Sequence, residues 1–139
     1  MSGDGAANAP VIRIAAALIE DDRGRLLLVR KAGTRAFMQA GGKIEPGETP
    51  LATLRRELAE ELGLAIEPAA AVYLGRFTAP AANEPGHIVE AELFHLRSNQ
   101  AGAMAAEIAE AVWVDRTDAA RLELAPLTRD HVLTISLRD

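Results

Sequence analysis

The stretch from Gly42 to Leu64, GKIEPGETPLATLRRELAEELGL, constrains this chain more than any other. Paired glycines, Gly41 and Gly42, and a Pro46-Gly47 turn lead into a helix that begins near Thr49. The Thr49 hydroxyl can accept a free amide of the first turn, and Pro50 suits the first helical position. Gly63 ends the helix, because a residue without Cβ adopts the left-handed C-cap at little cost. At about 100° per residue, Leu51, Leu54, Leu58 and Leu62 fall within roughly 80° and form a stripe to be buried. Glu57, Glu60 and Glu61 occupy the adjoining arc of about 100°, with Glu57 and Glu61 one turn apart. Like charges at that spacing repel, and Arg56 beside them cannot neutralise three carboxylates. Three glutamates at the edge of an apolar face offer the oxygens that a hard cation such as Mg²⁺ requires.

Taken alone, ELAEEL also reads as a solvated acidic surface. The spacing of the whole stretch decides otherwise. Gly42, five residues, Glu48, seven residues, then Arg56-Glu57-Leu58-Ala59-Glu60-Glu61-Leu62-Gly63-Leu64 resembles the Nudix hydrolase box at every specified position. The resemblance implies an α/β/α sandwich with a mixed β-sheet. It also implies cleavage, dependent on Mg²⁺ or Mn²⁺, of a nucleoside diphosphate linked to another moiety. Carried over by position, Glu57 and Glu61 are the main metal ligands, and Glu60 is a further ligand or the general base. The Gly41 carbonyl is another ligand. Arg56 orients Glu57, and Glu48 pairs with Arg56 or holds an outer-shell water. Which glutamate is the base differs among family members and stays open here.

The totals agree with a soluble enzyme. At 139 residues and 25% charged, the chain suits one compact domain over 11–139, with MSGDGAANAP as a disordered tail over 1–10. A net charge of −5 provides no field toward nucleic acid polymers or an anionic membrane. The absence of cysteine excludes disulfides and thiolate metal sites. The first residues lack the basic start and apolar core of a signal peptide, and no apolar run approaches a membrane span of about 20 residues. A cytoplasmic protein is the expectation, and a homodimer is left open.

Along the chain, Val11–Glu20 and Arg25–Lys31 read as a hairpin about Asp21-Asp22-Arg23-Gly24. Strands are expected at Ala70–Thr78, His87–Arg97 (with one wetter face) and Ala111–Val114, with loops over Ala79–Gly86 and Ser98–Met104. A helical turn is expected at Asp118–Leu122, and Pro126–Leu137 reads as a closing helix over the second sheet face. The five aromatics, Phe37, Tyr73, Phe77, Phe94 and Trp113, read as core, with Phe37 the one nearest the site in sequence. His87, His95 and His131 share no metal-ligand spacing and read as structural or surface groups.

The substrate side rests more on the resemblance. Arg30 and Lys31 are cations at the edge of the glycine turn, where family members often place a basic residue for a phosphate, and Lys43 follows the paired glycines. Family members commonly show an aromatic and then Leu-Pro before these glycines; Phe37 fits, but Gln39-Ala40 stands in place of Leu-Pro. Gln39 is thereby placed to reshape the substrate pocket. Glu107, six residues before Trp113, matches a metal-binding glutamate of mutator-type (MutT-like) members, with Glu110 as its competitor. By the same analogy Leu127-Thr128 approaches the base pocket. Small size favours a (d)NTP substrate. Pro80, sixteen residues beyond Leu64, keeps ADP-ribose or a nucleotide sugar as the alternative. A non-catalytic nucleotide sensor is the reading from another class, although such proteins usually have eroded boxes.

Overall fold

The fold is built outward from one strand. In the computed structural model, which describes residues 9–100 and 102–135, β1 (Val11–Glu20) pairs in parallel along its whole length with β5 (Ile88–Arg97). Its other edge is shared. The β2 strand (Leu26–Lys31) joins it at Glu20↔Leu26 through the expected hairpin, and β3 (Ala40–Lys43) lies antiparallel to Ile14–Ala17. Adding β4 (Val72–Pro80) beside β5 and β6 (Ile108–Val114) beside β2 gives a mixed sheet of order β4-β5-β1-β2-β6.

Side-chain alternation along β1 divides the core between the two faces. Ala15, Ala17 and Ile19 face one cluster with Leu27, Val29, Leu54, Leu58 and Leu62. Ala16 and Leu18 face the other, with Leu26, Leu93, Leu127 and Val132. Helices therefore cover both faces, and the fold is an α/β/α sandwich.

The long helix, α1 (Pro50–Leu62), obeys its sequence signals. Leu54, Leu58 and Leu62 are fully buried, each worth about 1.5–3 kcal/mol of apolar burial. The Ala52 amide donates to the Thr49 hydroxyl at 3.1 Å, and Gly63 takes φ 65° with its N–H returned to Ala59 O. Thr49→Ala is expected to cost about 1 kcal/mol, read as a lowered urea midpoint with an unchanged m-value.

Elsewhere the boundaries differ from expectation. The β4 strand runs on to Pro80, and β6 starts at Ile108 because that buried side chain pairs with Lys31. The helical turn is shifted to α2 (Arg116–Ala119), where the Asp115 carboxylate caps the Asp118 amide at 2.7 Å.

The expected closing helix is the main correction. Only α3 (Pro126–Asp130) is α-helical. His131 turns to φ −121° and ψ −53°, its Nε2 lies 2.9 Å from Thr78 O, and a 3-10 turn follows over Val132–Thr134. β-Branched Val132, Thr134 and Ile135 favour leaving the helix there. Positions 136–137 of that expectation lie outside the described residues, as do positions 1–8 of the N-terminal tail; Pro10 O already accepts the Ile88 amide.

Tyr73 also departs from the core expectation, being 55% exposed. Its hydroxyl donates to Glu92 at 2.6 Å, and Glu92, on the strand face expected to be wetter, is itself buried. Phe94 is buried, while Phe77 and Trp113 pack at the margins of the two clusters. Among the described residues, no helix is long and apolar enough to cross a membrane.

Candidate active site

The acidic arc of α1 meets the paired glycines of β3. Gly41 sits at φ 153° with β1 so close that a Cβ would lie 2.2 Å from Ala15 O, so glycine is required there. Its N–H donates to Glu61 Oε1 at 3.2 Å. A Cβ on Gly42 would fall 2.3 Å from the Glu57 carboxyl carbon, so the Glu57 carboxylate lies directly over this glycine. The two glycines are thus the floor on which the acids rest.

Glu61 is the most constrained of them. It is 2% exposed. Burial pushes its pKa up to about 7 against the pull of Lys31 and the Gly41 amide, and the neighbouring Glu57 and Glu107 carboxylates raise it further. The Lys31 ammonium stands 3.7 Å from Glu61 Oε2.

Arg56 organises the rest. It holds Glu48 through two bonds, Nε to Oε2 at 2.7 Å and Nη2 to Oε1 at 2.9 Å. It also donates from Nη1 to Glu57 Oε2 at 2.9 Å and from Nη2 to the Lys43 carbonyl at 3.2 Å. Thr53 Oγ1 and the Glu45 amide complete the shell of Glu48, whose pKa falls to about 2, chiefly through Arg56. Glu60 is more than half exposed, with only a long contact of 3.4 Å to Arg56.

Glu107 and Glu110 separate clearly. Glu107 stands near enough to Glu61 to raise its pKa, and its carbonyl accepts the Ala32 amide at 2.8 Å. Glu110 instead pairs with Arg30 at 2.8 Å, and Arg30 also donates to Thr34 O. A bulge at Arg30/Lys31 separates these two neighbouring cations.

Sequence reasoning missed what holds Glu107 near Glu61. The Ala103 and Ala105 amides donate to Leu62 O and Glu61 O, both at 2.8 Å, strapping the preceding loop to the end of α1. Gly102, at φ 70° with a Cβ position 1.8 Å from Leu62 O, was the available signal.

Next to the acids is a cavity of about 190 Å³ between β1, β3, the loop after β4, and α3. Lys31, Gln39, Gly41, Gly42 and Lys43 border it, as do Pro80, Leu127 and Thr128. Phe37 is not among its lining residues; it is half-buried in a bridge with Leu124. Arg30 is absent from the lining as well. Of the apolar walls, Ile12, Ile14 and Val89 escaped sequence reading because strands remote from the box supply them, and Met38 lies just before the paired glycines. His87 and His95 lie elsewhere, on Pro85 O and Glu20 respectively.

As a donor set, these carboxylates fit a hard divalent cation. Glu61 is buried with Lys31 as its cation at 3.7 Å, and Glu57 and Glu107 add negative charge beside it. With Glu57 turned to Arg56, no three acidic or histidine groups among the described residues converge on one point.

The NUDIX domain family model matches residues 10–134. The chain belongs to the Nudix hydrolase family. It is 33% identical over 123 residues to the CTP pyrophosphohydrolase of Escherichia coli, a match covering 84% of each chain. It is 38% identical over 58 residues to the 8-oxo-dGTP diphosphatase of Haemophilus influenzae, covering 39% of this chain and 43% of that relative. The MutT protein of Methanosarcina mazei Go1 superposes with a TM-score of 0.72 at 25% identity, over 88% of this chain and 90% of that structure. Nudix hydrolases act on small nucleotide substrates and generally use a divalent metal.

Proposed function

We propose that this Nudix hydrolase is an Mg²⁺-dependent pyrophosphohydrolase that converts a (d)NTP-type nucleotide into the monophosphate and pyrophosphate. The observation that carries the reading is the buried Glu61, held by the Gly41 amide near Glu57 and Glu107, with Gly41 itself bordering the cavity. Glu57 and Glu61, with the Gly41 carbonyl and Glu107, would hold the metal. When bound, that ion neutralises polyphosphate charge and acidifies water. Arg56 fixes the Glu57 rotamer, and Glu48 fixes Arg56 in turn. Lys31 and Lys43, both bordering the cavity, offset phosphate charge. Glu60, the most exposed of the three helix acids, is open to take the proton of the attacking water.

The similarity to a CTP pyrophosphohydrolase over 84% of each chain favours a nucleoside triphosphate. ADP-ribose or a nucleotide sugar is the second reading, because Pro80 borders the cavity. A product-resolved screen with Mg²⁺ separates them: nucleoside triphosphates, 8-oxo-dGTP, ADP-ribose, nucleotide sugars and dinucleoside polyphosphates. Monophosphate plus pyrophosphate from triphosphates is the expected result. Faster cleavage of ADP-ribose would favour the second reading, and tight binding without product would make the protein a nucleotide sensor.

A further inference from the structure

We infer that Gln39 reads the nucleobase, donating its side-chain N–H to a keto oxygen and so favouring cytosine, uracil and guanine over adenine. The inference rests on the proposed nucleotide hydrolysis. Gln39 is 5% exposed, on the segment entering β3, and Thr128 on α3 is fully buried. The Thr128 hydroxyl donates to Gln39 Oε1 at 2.8 Å across 89 residues of sequence. That bond fixes the amide with its NH₂ group on the opposite side. No hydrogen bond from this nitrogen to the protein is formed among the described residues, yet no fully buried side-chain nitrogen there lacks a partner. The two facts agree only if the NH₂ group is open to the cavity that Gln39 lines.

The surroundings give that donor its selectivity. Ile14, Met38 and Val89 are apolar walls that offer a base stacking surface and no hydrogen bond. Gln39 and Thr128 are the buried polar side chains of this lining, and the hydroxyl proton of Thr128 is already used. The unused group is a donor, so the base edge it meets must be an acceptor. Adenine is the common base without a keto oxygen and offers this donor only ring nitrogens. A glutamine usually suits adenine through a two-point contact that uses both amide atoms, and here the bond from Thr128 takes one lone pair of Oε1 and sets the orientation of the amide. Because Gly41 and Gly42 border both the cavity and the acids, a base in this slot directs its phosphates toward Glu57 and Glu61.

The test is the ratio of kcat/KM for CTP, UTP and GTP to that for ATP, in the wild type, Gln39→Met and Thr128→Val. Gln39→Met keeps the volume and removes the donor; Thr128→Val keeps Gln39 and releases its amide. The wild type is expected to prefer the keto bases. Gln39→Met should lower the keto-to-adenine ratio roughly tenfold, the worth of one hydrogen bond in a dry site. Thr128→Val should lower the ratio by less. An unchanged ratio in a folded Gln39→Met, or a wild-type preference for ATP, overturns the assignment while leaving the hydrolase reading intact. If the wild type cleaves none of the four, the underlying hydrolase reading fails first, and with it this inference.

Discussion

Glu57→Gln is expected to lower kcat by roughly 10³-fold while the protein folds as before, the scale seen when one preorganised charge-stabilising group is removed. Glutamine has nearly the same shape, so it can still lie over Gly42 and accept from Arg56 Nη1. What it lacks is the negative charge that would draw a divalent cation from water. KM for the nucleotide should change far less than kcat, because the base slot is formed by other residues. The control is Glu67→Gln, an exposed acid just beyond α1, which should keep full activity. Steady-state kinetics with saturating Mg²⁺, beside circular dichroism of each variant, decide it. A correctly folded Glu57→Gln with wild-type kcat would remove the acid from the mechanism.

Glu61→Gln is expected to do two opposite things: abolish turnover and stabilise the metal-free protein at alkaline pH. Burial raises the Glu61 pKa to about 7 from an ordinary value of 4.5. Between those values the folded chain keeps a proton that the unfolded chain has released. This contribution to stability is therefore fully present below 4.5 and is lost as pH rises through about 7. The loss amounts to about 3 kcal/mol by the end of that window. Glutamine, always neutral, escapes it. Urea unfolding in EDTA should show wild-type stability falling between acid and neutral pH, with Glu61→Gln flat across the same range. Parallel curves for the two proteins would mean that Glu61 is not a buried acid in solution. Excess Mg²⁺ should recover stability in the wild type alone, since a ligand of the folded state adds its own binding free energy.

The helix and its acids were legible because every signal there is local. Thr49, Pro50 and Gly63 set the ends of α1, and a leucine every turn set its buried face. The same reasoning failed at the C-terminus, where Leu127, His131 and Leu133 carry a helical period but the chain turns at His131. The reason is a contact 53 residues away, between His131 and the Thr78 carbonyl, which no local pattern records. Tyr73 misled in a similar way: an aromatic on a strand reads as core, but here its ring lies at the sheet edge and its hydroxyl bonds Glu92.

The site divides along the same line. Glu48, Arg56, Glu57 and Glu61 belong to one turn and one helix, so their mutual placement follows from spacing. The nearness of Glu107 to Glu61 depends on a loop strapped to Leu62 O and Glu61 O, and the Gln39–Thr128 bond depends on two ends of the fold meeting. Arg30 and Lys31 are adjacent in sequence but have different partners, Glu110 and Glu61, which only the pairing of β2 with β6 reveals.

Glu57 and Glu61 are proposed to bind a divalent cation together at the floor made by Gly41 and Gly42. Calorimetric titration of Mn²⁺ into the wild type and into the Glu57→Gln/Glu61→Gln double variant tests it most directly. The wild type should bind with release of protons as Glu61 ionises, more below its pKa of about 7 than above it, and the double variant should show no comparable binding. Equal Mn²⁺ affinity in the two proteins, or none in the wild type, would contradict the claim.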